Sequence, residues 1–411
     1  MSSPVQPDFC GVPLDTRTIP QDSLNIDNKK RSNLFPWNGQ FSPQLIEAFL
    51  QTYARPGSHI LDPFLGSGTT LHEAGRCGFS AFGCEINPAA FKMACIYRFI
   101  NVKPAMRRRA IERVDELLDK MMPEASPLFA PPREGNDQPL KETLASYASS
   151  AADPCVRQLL EALIVLLNVD EKGICERAVS ASWGKLRRVV SSLPFSEAPI
   201  ELTNCDARSL PVPTARVGLV ITSPPYINVF NYHQQYRKSA ELLGWDLLEV
   251  ARSEIGSNRK HRQNRFLTVI QYCVDMLLVF QELRRVCKPD ARVIVVVGRE
   301  SNVRKTRFFN GEIVASLAVR CASFGLSIRQ ERVFQNRFGE KIYEDILHFL
   351  PLSSSGAITR PTEVAREVLT AAIQRAPAES LDDLRDALQR IDEVEPSPLY
   401  TPSAVPAWQV V

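Results

Sequence analysis

The sequence predicts an open α/β sheet with helices on both of its faces. Apolar, strand-like segments alternate with amphipathic helical segments, one such strand runs into a glycine-rich turn, and further apolar segments return after residue 195. A strand–helix–strand–helix order is typical of parallel sheets, because the helices make the crossover connections. The chain has 411 residues, of which 44% are apolar and 23% charged, so it can bury a large core.

The first half of the predicted sheet occupies residues 33–103, after a polar, proline-bearing lead-in (1–32) that we expect to be irregular. FSPQLIEAFLQTYA (41–54) has the apolar spacing of a helix, with Ser42 as N-cap and Pro43 at the first helical position. SHILDPFLGSGTTLHEAGRCG then reads as strand, glycine turn and helix, and FSAFGCEINP as a second strand with an acidic end.

The pattern changes at residue 104 and returns to strands at residue 196. Residues 104–195 predict a mostly helical insertion, 196–352 the second half of the sheet, and 353–411 a helical and coil tail with helical patterns at 362–375 and 379–394. The strand-like segments of the second half are PIELTNCDA, VGLVITS, ARVIVVVG and DILHFLPL.

Composition and charge argue against several classes of protein. The chain has no apolar run long enough for a membrane helix, and its first residues lack the basic-then-apolar pattern of a secretory signal, so we expect a cytoplasmic protein. The ten cysteines form no CxxC pair and the five histidines show no metal-ligand spacing, which favours free thiols and no metal. The net charge of +3 is too small to indicate nucleic-acid binding by itself.

ILDPFLGSGTT (60–70) is the first candidate binding segment. An apolar strand ends at Asp62, and Gly66 and Gly68 flank Ser67 just before the next helix. Glycines let a backbone approach a ligand closely, and a helix N-terminus favours a carboxylate or a phosphate. A plain strand-to-helix turn would need the same glycines, and a Walker loop is excluded because no Gly-Lys-Ser/Thr follows.

Two acidic residues close the neighbouring strands. Glu85 ends the second strand, where a carboxylate can accept hydrogen bonds from both hydroxyls of a ribose, and Asp206 follows a third strand, where it can approach the amine of an adenine. Taken singly, Glu85 could be a helix cap and Asp206 a turn residue. Because ligands of open α/β sheets bind outside the carboxyl ends of the strands, the three sites together predict a nucleoside cofactor with a carboxylate-bearing tail and no pyrophosphate.

The segment TSPPY (222–226) ends a fourth strand beside the same crevice. The two prolines fix the backbone φ angle and free the neighbouring carbonyls from the hydrogen bonds of the sheet. One such carbonyl and the Ser223 hydroxyl can then accept hydrogen bonds from a planar amine. Tyr226 can stack on a flat base. The alternative is a loop that is only stiffened by proline. The position beside three cofactor-like sites favours a catalytic loop.

The pair DPFLGSGTT and TSPPY resembles the amino-methyltransferases of DNA, which transfer a methyl group from S-adenosylmethionine to cytosine N4 or adenine N6. The resemblance covers residues 33–100 and 200–350 and implies a Rossmann-like methyltransferase fold with S-adenosylmethionine as cofactor. It implies that the catalytic loop is Ser223, Pro224, Pro225 and Tyr226. It also implies that the cofactor contacts are Phe41, Ser42, Asp62, Phe64, Gly66, Ser67, Gly68, Thr69, Glu85 and Asp206.

Serine at the first position of TSPPY resembles the cytosine-N4 enzymes, since the adenine-N6 enzymes more often carry Asp or Asn there. An adenine-N6 DNA enzyme, an RNA base methyltransferase, a protein-glutamine methyltransferase and an inactive cofactor-binding protein remain alternatives. A cytosine-C5 enzyme is disfavoured, because DPCVRQ (153–158) opens a helix instead of forming a Pro-Cys nucleophile loop. The resemblance implies double-stranded DNA as partner and base flipping, and it leaves open whether a cognate restriction endonuclease acts separately.

SNRKHRQNR (257–265) is the candidate for phosphate contact, with Arg259, Lys260, Arg262 and Arg265 shortly after the catalytic loop. A solvated face is the alternative for this run. MRRRAIER (106–113) in the insertion is a weaker candidate, and we expect sequence choice to lie in the insertion or in residues 230–270.

Overall fold

The computed structural model describes residues 9–122, 138–169, 174–227, 232–256, 261–336, 339–353 and 359–401. In this part of the chain the strands are β1 (His59–Asp62), β2 (Ser80–Cys84), β3 (Ile200–Thr203), β4 (Val217–Thr222), β5 (Cys287–Gly298), β6 (Glu300–Val303), β7 (Thr306–Phe309), β8 (Phe324–Gln335) and β9 (Lys341–Pro351).

The same part of the chain contains fourteen α-helices. They are α1 (Gln21–Asn25), α2 (Pro43–Tyr53), α3 (Thr69–Arg76), α4 (Pro88–Cys95), α5 (Pro104–Met121), α6 (Gln138–Ser150), α7 (Pro154–Leu166), α8 (Glu176–Ser192), α9 (Arg237–Leu242), α10 (Leu247–Ser253), α11 (Leu267–Val286), α12 (Asn310–Ser316), α13 (Pro361–Ile373) and α14 (Leu381–Gln389). None of these helices is long and apolar enough to cross a membrane.

Seven strands form one sheet in the order β3-β2-β1-β4-β5-β9-β8, and β6 and β7 form a separate hairpin. Strands β1 to β5 are parallel to their neighbours, whereas β9 is antiparallel to both β5 and β8. The chain runs outwards from β1 to β3 on one side and from β4 onwards on the other, so the topological switch point lies between β1 and β4. The expected Rossmann-like sheet is therefore confirmed.

Alternate residues of the central strands point into two hydrophobic cores, one on each face of the sheet. In β1, Ile60 belongs to the first core and Leu61 to the second, and in β4 the same division separates Leu219 from Val220. This alternation explains why the strands read as continuous apolar runs, since strands buried on both faces have no polar side.

The helices of residues 104–195 pack into the first core together with α2, α3 and α4, rather than forming a body with a core of its own. Arg107 ties this insertion to residues 33–103, here called the cofactor half, because its guanidinium donates to the backbone oxygens of Val102, Ile100, Leu193 and Pro194. Arg107 is only 3% exposed, so its part in the weaker phosphate-contact candidate is corrected to a structural one.

Three details differ from the sequence expectations. The lead-in includes the short helix α1 and pairs with β8 through a bridge between Leu14 and Arg329. Strand β8 was not expected, since its polar side chains conceal the strand pattern. Ser42 occupies the N-cap of α2 with extended backbone angles, but its side chain makes no capping hydrogen bond.

Candidate active site

A cavity lies at the carboxyl ends of β1, β2, β3 and β4 and encloses about 950 Å³, including the part open to solvent. That volume lies in the range of ligand-binding pockets. Of the predicted site residues, the cavity is lined by Phe41, Phe64, Gly66, Thr69, Glu85, Asp206, Ser223 and Pro225. The candidate cofactor and catalytic segments thus open into one space.

The charge of this cavity is acidic. Glu85, Asp206 and Glu254 line it, and among the described residues that line it there is no lysine and no arginine. A pyrophosphate would meet no cationic side chain here, whereas a ligand that carries a sulfonium and an ammonium group would meet carboxylates. These acidic side chains therefore fit S-adenosylmethionine better than a dinucleotide. No group of three or more metal-ligating side chains occurs in the part of the chain that the structure describes.

The turn after β1 depends on its glycines. Gly66 and Gly68 have φ angles of 54° and 94°, in the left-handed region that favours glycine. A Cβ at Gly68 would lie 2.6 Å from Cδ2 of Tyr97, so a side chain here would also collide with the helical turn after α4. The glycines thus place the N-terminus of α3, with Thr69, against the cavity.

Asp62 and Ser67 brace this turn. The Asp62 carboxylate accepts hydrogen bonds from Thr70 Oγ1 at 2.7 Å, Thr222 Oγ1 at 2.8 Å and the Phe64 amide at 3.1 Å, and burial raises the pKa of this carboxyl to about 6. Asp62 therefore joins β1 to β4 at the switch point. Ser67 Oγ donates to Gln40 Oε1 at 2.8 Å, which links the glycine turn to the segment before α2.

Glu85 holds the turn from the second strand. Its Oε2 accepts from the Gly66 amide at 2.6 Å and its Oε1 from the Asn87 amide at 2.7 Å. Burial raises the pKa of Glu85 to about 7, against the lowering effect of these two hydrogen bonds, and the charges of Asp62 and Glu254 raise it further. Each oxygen keeps a second lone pair with which it can accept from a ribose hydroxyl.

Asp206 lines the cavity but is also part of a buried ionic network. Its two oxygens accept from Nε and Nη2 of Arg208 at 2.9 and 2.7 Å, and Arg208 Nη1 donates to Asp275 at 2.8 Å. The sequence expectation of an adenine contact stays a prediction, and the structure adds a role that the sequence did not indicate.

The C-terminal tail docks on this network. Tyr400 donates its amide to Asp206 Oδ2 at 3.0 Å and its hydroxyl to Asn204 Oδ1 at 2.8 Å. Asn204 in turn donates to the backbone oxygens of Glu85 and Ile86. The tail therefore fixes both acidic walls of the cavity, although nothing in its sequence pattern suggested this contact.

In the TSPPY loop, Ser223 lies at the cavity and the ring of Tyr226 lies behind Ser223. Ser223 and Pro225 line the cavity, and Ser223 Oγ lies 3.4 Å from the Tyr226 hydroxyl. The Tyr226 ring packs on Gly298 at the end of β5, where a Cβ would lie 3.0 Å from Cε2 of the ring. Burial raises the pKa of Tyr226. Tyr226 thus supports Ser223 in this conformation, and a stack on a base would need the ring to turn.

The segment before α2 closes the cavity with aromatic rings. Trp37 stacks with both Tyr232 and Tyr236, with both pairs of ring centroids 6.2 Å apart and both interplanar angles 17°. Phe41 lines the same cavity, whereas Ser42 lines a different one, beside Arg332 and Lys341. Trp37 and Tyr232 were not singled out from the sequence, although aromatic residues in FPWNGQF and FNYHQQY were a visible signal.

The basic run after the catalytic loop is described only in part. Arg262 and Arg265 are exposed, and Asn264 between them donates to the backbone oxygen of Asp383 and to Asp386 at the tail. Arg259 and Lys260 lie outside the described residues. The exposed arginines are compatible with phosphate contact, which remains a prediction.

Two comparisons with known proteins concern the sequence. A family model described as DNA methylase matches residues 18–95. The Type II methyltransferase M.MjaII of Methanocaldococcus jannaschii is 44% identical over 55 residues, which are 13% of this chain and 10% of that protein. The chain thus matches about a tenth of the length of this curated relative.

A comparison with solved structures matches a SAM-dependent methyltransferase from Methanosarcina mazei, with a TM-score of 0.35 and 13% identity over 74% of this chain and 98% of that chain. The rRNA methyltransferase aviRa from Streptomyces viridochromogenes has a TM-score of 0.29 and 12% identity over 84% of this chain and 96% of that chain. The strand order and the parallel β1–β5 core carry the fold assignment.

The matched residues 18–95 contain the segment before α2, the glycine turn and Glu85, all of which meet at one cavity. The DNA methylase family model thus matches the part of the chain that forms the cofactor wall of this cavity.

Proposed function

We propose that this protein is an S-adenosylmethionine-dependent DNA methyltransferase that modifies cytosine N4 in a base flipped out of the duplex. One observation carries the proposal: the acid-lined cofactor wall, with Glu85, and the Ser223–Pro225 loop open into the same cavity. A target base has to leave the stack to reach a cavity at the strand ends, so base flipping is part of the proposal.

Glu85 and Asp206 would hold the nucleoside part of the cofactor, and the Gly66–Thr69 turn its amino-acid part. When bound, S-adenosylmethionine supplies an electrophilic methyl group. Ser223 Oγ and a carbonyl freed by the prolines accept hydrogen bonds from the target amine, which orients its nitrogen and draws its lone pair out of conjugation with the ring. The chain needs no covalent nucleophile for this chemistry.

The serine of TSPPY supports cytosine N4 over adenine N6. We further propose that the modification is site-specific, on double-stranded DNA, and protects sites from a separate restriction endonuclease. Sequencing of methylated bases in DNA from cells that express the protein tests both points. A short motif modified at cytosine N4 is expected, whereas N6-methyladenine would shift the base assignment and unmodified DNA would contradict the proposal.

Of the two segments proposed for sequence choice, 230–270 contributes described residues to the cavity, namely Ser253, Glu254 and Ile255, whereas no described residue of the insertion lines it. The insertion packs against the helices of the cofactor half. The base-specific contacts are therefore assigned first to residues 230–270.

Replacing Glu85 with alanine is expected to weaken S-adenosylmethionine binding by about 1–3 kcal/mol, because ribose hydroxyls and two backbone amides lose their acceptor. Since the pKa of Glu85 is raised to about 7, its carboxylate is ionised only above that pH, and the ionised form is the better acceptor. Wild-type affinity should therefore rise as pH increases through 7. Calorimetry at several pH values measures this affinity. Glu85→Gln cannot ionise, so its affinity should rise less with pH than that of the wild type. If the two proteins had the same pH profile, Glu85 would not be part of the cofactor site.

Replacing Arg259, Lys260 and Arg262 with alanine is expected to weaken binding to all DNA sequences alike, because phosphate contacts carry no sequence information. The slope of log affinity against log salt should fall by roughly 0.9 for each phosphate that is no longer neutralised. The matched control replaces three arginines that pair with tail carboxylates, Arg366, Arg385 and Arg390. Equal effects of the two triple variants on the salt slope would show that the run is only a solvated face.

A further inference from the structure

A buried pair of side chains at the cavity wall, a histidine and a glutamate, has no part in the proposed cofactor contacts. His233 Nδ1 lies 2.7 Å from Glu254 Oε2, and the two side chains are 2% and 8% exposed. Glu254 lines the cavity, while His233 lies behind it. A buried pair of this kind is costly to desolvate, and its presence beside a ligand cavity calls for an explanation.

The two oxygens of the Glu254 carboxylate differ in their hydrogen bonding. Within the part of the chain that the structure describes, Glu254 Oε1 is buried and has no hydrogen-bond partner. The other carboxylates at the site differ, since both oxygens of Asp62, of Glu85 and of Asp206 accept hydrogen bonds from the protein. A buried acceptor without a donor costs free energy, so a carboxylate that only stabilised the fold would gain from a second protein donor.

The position of Glu254 relates it to the catalytic loop. Gly256, two residues further on, packs so closely against the loop that a Cβ there would lie 2.9 Å from the carbonyl oxygen of Tyr226. Ser253 and Ile255 on either side of Glu254 line the cavity with it, as do Ser223 and Pro225. Glu254 therefore borders the part of the cavity that the catalytic loop also borders.

We propose that Glu254 Oε1 accepts a hydrogen bond from the exocyclic amine of the target base, with His233 as the positioning residue that holds the carboxylate in place. This inference rests on the proposed function. An exocyclic amine carries two N–H donors, and the acceptors that the loop offers them, Ser223 Oγ and a carbonyl, are both neutral; Glu254 Oε1 adds a charged acceptor that shares one of these N–H groups with the loop. Glu254 thereby distinguishes a base with an amine from a base without one.

The experiment first identifies the methylated motif by sequencing DNA from cells that express the wild-type protein. Two duplexes with this motif are then compared, one with the natural target base and one with the analogue that lacks the amine, 2-pyrimidinone for cytosine or purine for adenine. Their affinities are measured by fluorescence anisotropy with S-adenosylhomocysteine present. Calorimetry with S-adenosylmethionine alone reports the cofactor site separately.

Wild-type protein should prefer the amine-bearing duplex, and Glu254→Gln should reduce this preference by roughly tenfold to a hundredfold, the worth of a hydrogen bond to a charged group. S-adenosylmethionine affinity should stay within about twofold. His233→Gln should reduce the same preference by less, since it leaves the carboxylate in place. Glu249→Gln, the same change on an exposed carboxylate of α10, should alter neither quantity.

An unchanged preference in Glu254→Gln would overturn the inference while leaving the proposed function intact. Loss of S-adenosylmethionine affinity with an unchanged base preference would assign Glu254 to the ammonium group of the cofactor and would also overturn it. If wild-type protein methylated no DNA, the proposed function itself would fail, and with it the substrate on which this inference depends.

Discussion

Replacing Ser223 with alanine is expected to lower the rate of methyl transfer by roughly a hundredfold, the usual loss when one polar group that acts on the reacting atoms is removed. Ser223 lines the cavity just after β4, whereas the neighbouring hydroxyl of Thr222 is bonded to Asp62. Without it the target nitrogen stays conjugated with its ring and is poorly oriented. Single-turnover methylation with labelled cofactor measures the rate.

Cofactor affinity should be nearly unchanged in the same variant, because Glu85 and the glycine turn remain. Ser209→Ala, at an exposed serine after β3, is the matched control and should keep full activity. Full activity in Ser223→Ala would contradict the assigned role of the loop. Equal loss of cofactor affinity and rate would instead indicate that the substitution disturbs the cavity as a whole.

Arg208→Met is expected to lower the free energy of unfolding by about 3–5 kcal/mol, because it removes the only basic partner that the described residues provide for two buried carboxylates. Arg208 is 1% exposed as a side chain and pairs with Asp206 and Asp275. It also donates to the backbone oxygens of Ser397 and Pro398, so its loss should release the tail. Urea titration followed by circular dichroism measures the change.

Arg385→Ala is the control for Arg208→Met, because the pair of Arg385 with Asp382 is exposed and such pairs contribute roughly 0–1 kcal/mol. The tail contact can be measured separately with Tyr400→Phe, which removes only the hydroxyl that bonds Asn204. If Arg208→Met unfolded at the same urea concentration as the wild type, the network would have no structural importance.

The cofactor half was predictable because local chemistry determines it. Pro43 begins α2, the glycines require the turn after β1, and apolar runs buried on both faces mark β1, β2 and β4. These features act within a few residues, so they are visible in the sequence. Ligands of open α/β sheets bind outside the carboxyl ends of the strands, so this rule then identifies the acidic residues after β2 and β3 as candidate ligand contacts.

The features that were not predicted from the sequence depend on contacts between segments that are far apart in the chain. Nothing near Tyr400 in sequence indicates that it bonds Asp206 and Asn204, and the pairing of His233 with Glu254 joins a helical turn to the end of α10. Strand β8 escaped prediction because its polar side chains break the apolar alternation. Arg107 looked like a surface cation until the structure showed its guanidinium bonded to four backbone oxygens.

Nucleoside analysis tests the central claim most directly. Purified protein is incubated with radiolabelled S-adenosylmethionine and, in separate reactions, with double-stranded DNA, RNA or protein, and the labelled product is digested and separated. The account predicts label in DNA, as N4-methylcytosine, and labelling that is roughly a hundredfold slower with Ser223→Ala. Label found only in RNA or protein, or at cytosine C5, would contradict it.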